Sequence, residues 1–262
     1  MVKFSNPMKL STLTALVQYR GYHRIGRCNV CGKTSFFICK DLVWPRNNMF
    51  CVHCNSSGRK RHVAKVLLTK VCKNLSSMSE IPRSDSGIKI YSADSFDSFH
   101  KVLKDFPGFV SSVYDPKHKA GSEIEKRVYC QDLESLTFES ESFDAVITED
   151  VFEHVRDHIK GFKSVHRVLK PNGIHIFTVP FNFDKPTLVR VKTSGDEDIE
   201  LLPAEYHGDN IRGKILAYRT FGYDIFSLLE GIGFSTTVDF SDYKDLKTGI
   251  VDSFVFISKK LS

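Results

Sequence analysis

Four of the seven cysteines fall as Cys28-Asn-Val-Cys31 and Cys51-Val-His-Cys54, two C-x2-C pairs with 19 residues between them. Two intervening residues let both thiolates of a tight turn face one ion, and two such turns complete a closed tetrahedral shell. Gly32, directly after the first pair, suits the turn. The reading is a structural zinc site held by Cys28, Cys31, Cys51 and Cys54, with no open position for chemistry. Disulfides or free thiols are the competing readings, and His53 is the substitute ligand. The apolar stretch Leu10–Val17 is interrupted by Ser11, Thr12 and Thr14 and lacks a small-residue cleavage pattern, so no secretory signal is read and a cytoplasmic location is expected. Disulfides are disfavoured there. Cys39, Cys72 and Cys130 have no partner at useful spacing and read as small core residues.

The net charge of +6 hides an asymmetry. Between Met1 and Leu75 there are 14 Lys or Arg against the single acid Asp41, a balance of +13, which leaves 23 basic and 30 acidic residues, or −7, in the rest. The second cysteine pair is followed by Arg59-Lys60-Arg61-His62, opening a helical pattern with Val63, Leu67, Val71 and Leu75 at four-residue steps and Lys65, Lys70 and Lys73 opposite. Those cations read either as a solvated helix face or as a surface for RNA or another polyanion. The division that follows is a basic module over residues 1–76, a Ser- and Pro-containing linker over 77–86, and a second domain over 87–262.

In that second domain strands and helices alternate. Strands are expected at Ile88–Ser92, Phe109–Tyr114, Arg127–Cys130, Phe143–Glu149 and Ile174–Val179, with helices over Phe96–Phe106 and Val155–Lys170, the latter stopped by Pro171-Asn172-Gly173. Alternation of this kind implies a doubly wound parallel sheet. After Pro180 comes a long irregular insert, residues 181–219, then a helix near Tyr218–Gly231 and two closing strands, Ser235–Phe240 and Val251–Ser258, joined only by a polar loop and therefore antiparallel neighbours.

The ordered segments Gln131-Asp132-Leu133, Ser142-Phe143-Asp144-Ala145-Val146-Ile147, Glu149-Asp150-Val151-Phe152-Glu153-His154-Val155 and Arg167-Val168-Leu169-Lys170-Pro171-Asn172-Gly173 resemble the class I methyltransferases that use S-adenosylmethionine, specifically the type 11 group. The resemblance implies a Rossmann-like α/β sheet with an antiparallel last strand, here preceded by a small zinc-ribbon-like module. It also implies that Asp132 accepts a hydrogen bond from the adenine amino group with Leu133 against the ring, that Glu149 and Asp150 close the fourth strand at the ligand-binding edge, and that Asp115 holds the ribose. The turn Tyr91-Ser92-Ala93-Asp94-Ser95 departs from the family's glycine-rich pattern. Ser92 and Ala93 are small enough to bring backbone near a cofactor, with Asp94 contacting the amino-acid group.

Methyl transfer is a displacement at the sulfonium carbon, helped mainly by in-line positioning, and needs a base only where the acceptor keeps its proton. His154 is the expected base, oriented by Glu153 or Asp150. The set Asp150-x-x-Glu153-His154 with a distant His207 also looks like the carboxylate and histidine cluster of small-RNA terminal 2′-O-methyltransferases, which bind a divalent metal; those have Glu where this chain has Asp150. The insert over 181–219 is expected to form the acceptor lid, with Tyr206, His207 and Asp209 as acceptor contacts. Three functions follow: a methyltransferase acting on a small molecule such as a sugar or nucleotide-linked metabolite, an RNA methyltransferase gripping RNA through its basic module, or a non-catalytic adaptor with a decayed cofactor loop.

Overall fold

The structure is a computed structural model, and it describes residues 10–84, 87–194, 197–209, 212–241 and 247–261. The chain opens with α1 (Leu10–Gln18), then a three-stranded antiparallel sheet of β1 (Arg24–Arg27), β2 (Thr34–Cys39) and β3 (Met49–Cys51), with the short α2 (Pro45–Asn48) before β3. Two matching knuckles hold the cysteine pairs. The Gly32 N–H donates to the Cys28 carbonyl at 2.8 Å, with Gly32 at φ +75°, and the Asn55 N–H donates to the Cys51 carbonyl at 2.9 Å, with Asn55 at φ +60°. Helix α3 (Gly58–Lys70) follows at once, its N-terminus capped by the Ser57 hydroxyl accepting from the Lys60 N–H.

The main sheet is built from β4 (Ile90–Ser92), β5 (Phe109–Val113), β6 (Glu123–Glu125), β7 (Val128–Cys130), β8 (Phe143–Glu149) and β9 (Leu169–Thr178), with α4 (Ser98–Leu103) and α5 (His158–Val168) as crossovers. Strands β7, β5, β4, β8 and β9 lie parallel in that order. Order therefore reverses between β4 and β8, and such a switch point opens a crevice at the carboxyl ends of the strands. The stretch expected to be irregular is instead a set of small β pieces: β10 (Phe181–Asn182), β11 (Leu188–Val189), a β12 (Val191–Ser194) and β13 (Glu197–Glu200) hairpin, a β14 (Glu205–Asp209) and β15 (Gly213–Ala217) hairpin, and β16 (Arg219–Gly222) between β10 and β11. After α6 (Ile225–Ile232), β17 (Phe234–Phe240) and β18 (Phe254–Lys260) close the sheet, β18 antiparallel to both β9 and β17, as expected for the reversed pair. No helix among the described residues is long and apolar enough to cross a membrane.

Side chains alternate across the strands and sort two cores. Ile90, Ala145, Ile147, Ile176, Val255 and Ile257 face one side, where they pack with Val63, Val66 and Leu67 of α3 and with Phe99 and Leu103 of α4. Tyr91, Val146, Phe177 and Phe256 face the other, against Phe162 and Val165 of α5 and Leu229 of α6. Helix α3 is thus one of the layers that cover the sheet. The first core also takes in Cys28, Cys51, Cys54, Met78 and Ile81, so it includes part of the expected linker, which contains a 3₁₀ turn, Met78–Arg83, with Met78 and Ile81 buried.

The expected basic face is corrected in the same way. The Arg59 and Lys60 side chains are only 18% and 13% exposed, and Arg61 is fully buried. Lys65 is half-buried beside Asp239 at 3.7 Å, and only Lys70 and Lys73 are exposed. Counting charge along a chain gives its sign but not its direction: Arg46, Arg59 and Lys60 turn toward the acids of the sheet edge.

Candidate active site

Two hollows of about 510 and 460 Å³ meet over the switch point, sharing Ala93, Ser112, Tyr114, Val151 and His154, and so form one cleft. At one end stand Gln131, Asp132, Leu133 and Glu134; at the other, Arg59, Asp94, Phe96, Glu149 and Asp150. The β14–β15 hairpin roofs the middle with His207 and Ile215. The volume is that of an ordinary small-molecule site.

The charged end is an ion cluster. Lys60 Nζ lies 2.9 Å from Glu149, 2.5 Å from Asp97 and 3.2 Å from Asp94. Burial works against the Lys60 ammonium, but Glu149, Asp97 and Asp94 outweigh it and hold its pKa above that of a free lysine. Burial pushes the Asp94 carboxyl up despite Lys60. Arg59 Nη1 donates to Asp150 Oδ2, and Arg46 stands 3.4 Å from Asp150 Oδ1. Asp150 has a left-handed backbone, φ +50°, held by its N–H donating to the Thr178 carbonyl at 2.9 Å and by the Thr178 hydroxyl donating to its carboxylate at 2.7 Å. A non-glycine residue held there stores strain of about 1–3 kcal/mol.

In the middle of the cleft, His154 Nδ1 lies 2.8 Å from the Leu216 carbonyl, which can only accept, so Nδ1 carries the proton. The Nε2 of a neutral His154 is then an acceptor, and His207 Nδ1, 3.0 Å away, donates to it. His207 Nε2 lies 3.2 Å from Glu205. Glu153 lies fully buried beside the pair, 3.7 Å from His154 and 3.8 Å from His207, and neither of its carboxylate oxygens has a hydrogen-bond partner. Burial pushes its carboxyl up to about 7.

Residues 107–177, just over a quarter of the chain, match the family model of the methyltransferase domain. The chain carries a methyltransferase domain. It is similar, at 36% identity over 73 residues, to the ubiquinone/menaquinone biosynthesis C-methyltransferases UbiE of two Coxiella burnetii strains, Dugway 5J108-111 and RSA 493 / Nine Mile phase I, covering 28% of this chain and 28% of each relative. Among solved structures it is similar to an S-adenosylmethionine dependent methyltransferase from Mesorhizobium loti (14% identity, TM-score 0.49, 79% of this chain and 100% of that one) and to a Burkholderia thailandensis 1,6-didemethyltoxoflavin-N1-methyltransferase (14% identity, TM-score 0.37, 71% and 77%).

Of the residues expected in the site, Ala93, Asp94, Asp132, Leu133, Glu149, Asp150, His154 and His207 all line the cleft. Asp132 caps the 3₁₀ turn Leu133–Ser135 by accepting from the Glu134 N–H at 2.9 Å. Ser92 is buried beneath the cleft without lining it, and its hydroxyl has no partner. Asp115 lines neither hollow; its carboxylate is spent on its own turn, accepting from the Lys117 N–H at 3.0 Å with His118 also at 3.0 Å. Tyr206 is 55% exposed and lies outside the cleft, because alternate strand residues face opposite ways and His207 takes the inward position. Of Asp209 only the backbone, paired with Gly213, lies within the described residues. Asp150 does not orient His154; the Leu216 carbonyl does. Glu205 and Leu216 had no signal in the sequence as site residues, and Arg59, expected as a contact for a polyanion, is brought into the cleft by tertiary placement. Phe96 is a further surprise, with φ +65°, so the turn without glycine still makes the left-handed bend that a glycine would make there.

At the other end of the chain's chemistry, the Sγ atoms of Cys28, Cys31, Cys51 and Cys54 all lie within 4.8 Å of one another, with Cys28–Cys54 at 3.7 Å and Cys31–Cys51 at 3.9 Å. A tetrahedron of about 2.3 Å metal–sulfur bonds has edges of roughly 3.8 Å. Burial pushes the Cys31 thiol up to about 11, so a bound cation would be needed to hold all four sulfurs as thiolates. Ser35 Oγ at 3.0 Å from Cys51 and Ser56 Oγ at 3.2 Å from Cys54 supply hydrogen bonds around the sulfurs. His53 is exposed, 3.1 Å from the Thr34 carbonyl, and outside the quartet.

Proposed function

We propose that this protein transfers a methyl group from S-adenosylmethionine to a small-molecule acceptor, with a structural zinc ion in the four-cysteine site. The observation that carries the reading is the cleft at the switch point, with an adenine-type end at Asp132 and Leu133 and a charged end at Asp94, Glu149 and Arg59, where the buried Glu149 Oε2 and Arg59 Nε lack hydrogen-bond partners. S-adenosylmethionine bound there supplies an electrophilic methyl group. Val151 and Ile215 keep the middle of the cleft apolar, and His154 and His207 stand where an acceptor proton would leave. His154 Nε2 takes that proton once His207 moves off it, and Glu205 Oε1, 3.2 Å from His207 Nε2, holds the His207 ring. A small acceptor is favoured over RNA because Arg59, Lys60 and Arg61 point into the protein.

Calorimetry on reduced protein should give micromolar affinity for S-adenosylhomocysteine; no heat at millimolar ligand would leave the adaptor reading instead. His154→Asn should keep that affinity within about threefold while lowering turnover on any proton-bearing acceptor by about a hundredfold. A steep salt dependence of RNA binding would favour the RNA reading.

A second reading rests on one observation, that Glu153, His154 and His207 place one ligand atom each within 4.8 Å of one another, a set able to hold a divalent cation. Asp150 is not in it, being tied to Arg46, Arg59 and Thr178. The pH dependence of stability separates the two. Without a cation, a Glu153 pKa raised from 4.5 to about 7 means the folded state holds its proton longer than the unfolded chain, so stability falls as pH rises from about 4.5 to 7. The stability advantage of Glu153→Gln over the parent should therefore grow by up to about 3 kcal/mol between pH 5 and pH 8 in chemical denaturation. A bound cation keeps Glu153 ionised throughout, and adding manganese or magnesium would then reverse the sign of that trend.

A further inference from the structure

The turn after the first strand of the sheet has no glycine, yet a helix from the cysteine-rich part of the chain reaches the same end of the cleft. We propose that Arg59, carried by α3, is the residue that captures the α-carboxylate of the cofactor's amino-acid end, so that the N-terminal module is part of the cofactor site; this rests on the reading of the cleft given above.

Arg59 lines the hollow together with Asp94, Glu149 and Asp150. Its Nη1 donates to Asp150, while its buried Nε is ion-paired with Glu149 Oε2 at 3.4 Å without a hydrogen bond between them. A planar guanidinium so placed is suited to a carboxylate, which it meets with two parallel hydrogen bonds. With Arg59 stand three further cations, Arg46, Lys60 and Arg212, against four acids, Asp94, Asp97, Glu149 and Asp150. This even balance suits a zwitterion: the carboxylate on Arg59, the ammonium on Asp94 or Glu149. Arg59 is fixed in place by its neighbours, since Lys60 is anchored by three acids and Arg61 is buried in the module itself. Arginine at this point therefore does the work that backbone amides of a glycine-rich turn would otherwise share.

The test compares two probes with the same nucleoside and sulfur, S-adenosylhomocysteine and 5′-methylthioadenosine, the second lacking the amino-acid end. Calorimetry is run on the full chain, on Arg59→Gln and on Arg59→Lys, each checked for folding by its melting curve. Arg59→Gln should weaken S-adenosylhomocysteine by at least about tenfold, the scale of a charge-assisted hydrogen bond, and leave 5′-methylthioadenosine within about twofold. Arg59→Lys, which keeps the charge and loses the fork, should fall between. Equal losses for both probes, or a loss under about threefold for S-adenosylhomocysteine, would overturn the assignment. If Arg59→Gln does not fold, Arg59→Lys decides by the same criterion. A parent chain that binds neither probe overturns the cofactor reading itself.

Discussion

Replacing Cys51 by serine is expected to remove bound zinc and to cost the protein more than about 4 kcal/mol, because structural zinc binding is itself folding free energy. The large cost follows from where the site sits. Cys28, Cys51 and Cys54 belong to the same apolar cluster as Ile90, Ala145 and Ile147 of the sheet, so loosening the knuckles opens one face of the central strands. Metal analysis of reduced protein should give close to one zinc per chain for the parent and under about a tenth for the variant. A variant that keeps its metal, or melts with the parent, would mean that sulfur at this position is not a ligand.

The second large effect is expected at Arg61. Its side chain is fully buried and donates to the Ser56 carbonyl, to Met49 O at 3.1 Å, to Gly249 O at 2.8 Å and to Thr248 O at 2.6 Å, with the guanidinium 4.2 Å from the centre of the Phe37 ring. Arg61→Met keeps much of the volume but takes the guanidinium donors from all four carbonyls, of which Ser56 O still accepts from the Cys51 N–H at 3.0 Å. A loss of about 3–5 kcal/mol is expected in urea denaturation. Arg61→Lys should recover little, since one ammonium cannot span acceptors that a planar five-donor fork reaches from several sides. A loss below about 1 kcal/mol for either variant would show that the carbonyls find other partners.

Much of the sheet is legible in the sequence. Apolar runs such as Ala145–Ile147 and Ile176–Val179 are buried on both faces, and a strand covered on both sides needs no subtle pattern to announce itself. The cysteine quartet was equally plain, because ligand spacing is a local property. The insert was not: β12 to β15 are short, largely exposed hairpins whose residues, as in Glu197–Glu200, lack the alternation that a half-buried strand shows. Arg59, Lys60 and Arg61 misled for a related reason. A helix that lies between a metal module and a sheet is buried around much of its girth, and its cations can then be inward anchors, which no count of charge reveals. In the site, Asp132 and Leu133 were legible from a local motif, whereas Glu205 and the Leu216 carbonyl reach the histidines only through the β14–β15 hairpin.

The contacts of Arg61 also set an order of events during synthesis. The carbonyls of Thr248 and Gly249 stand 187 and 188 residues further along the chain, and the Arg27 N–H likewise donates to Lys247 O at 2.8 Å. Gly249, at φ +64°, lies so close to Phe37 that an added Cβ would come within 2.5 Å of the ring. The cysteine-rich part of the protein is therefore completed by a part that is synthesised 187 and 188 residues later. At ordinary translation rates that interval is roughly 10–40 s. Throughout it, the Arg61 guanidinium lacks two of its four carbonyl acceptors and the wall that Gly249 forms against Phe37 is open.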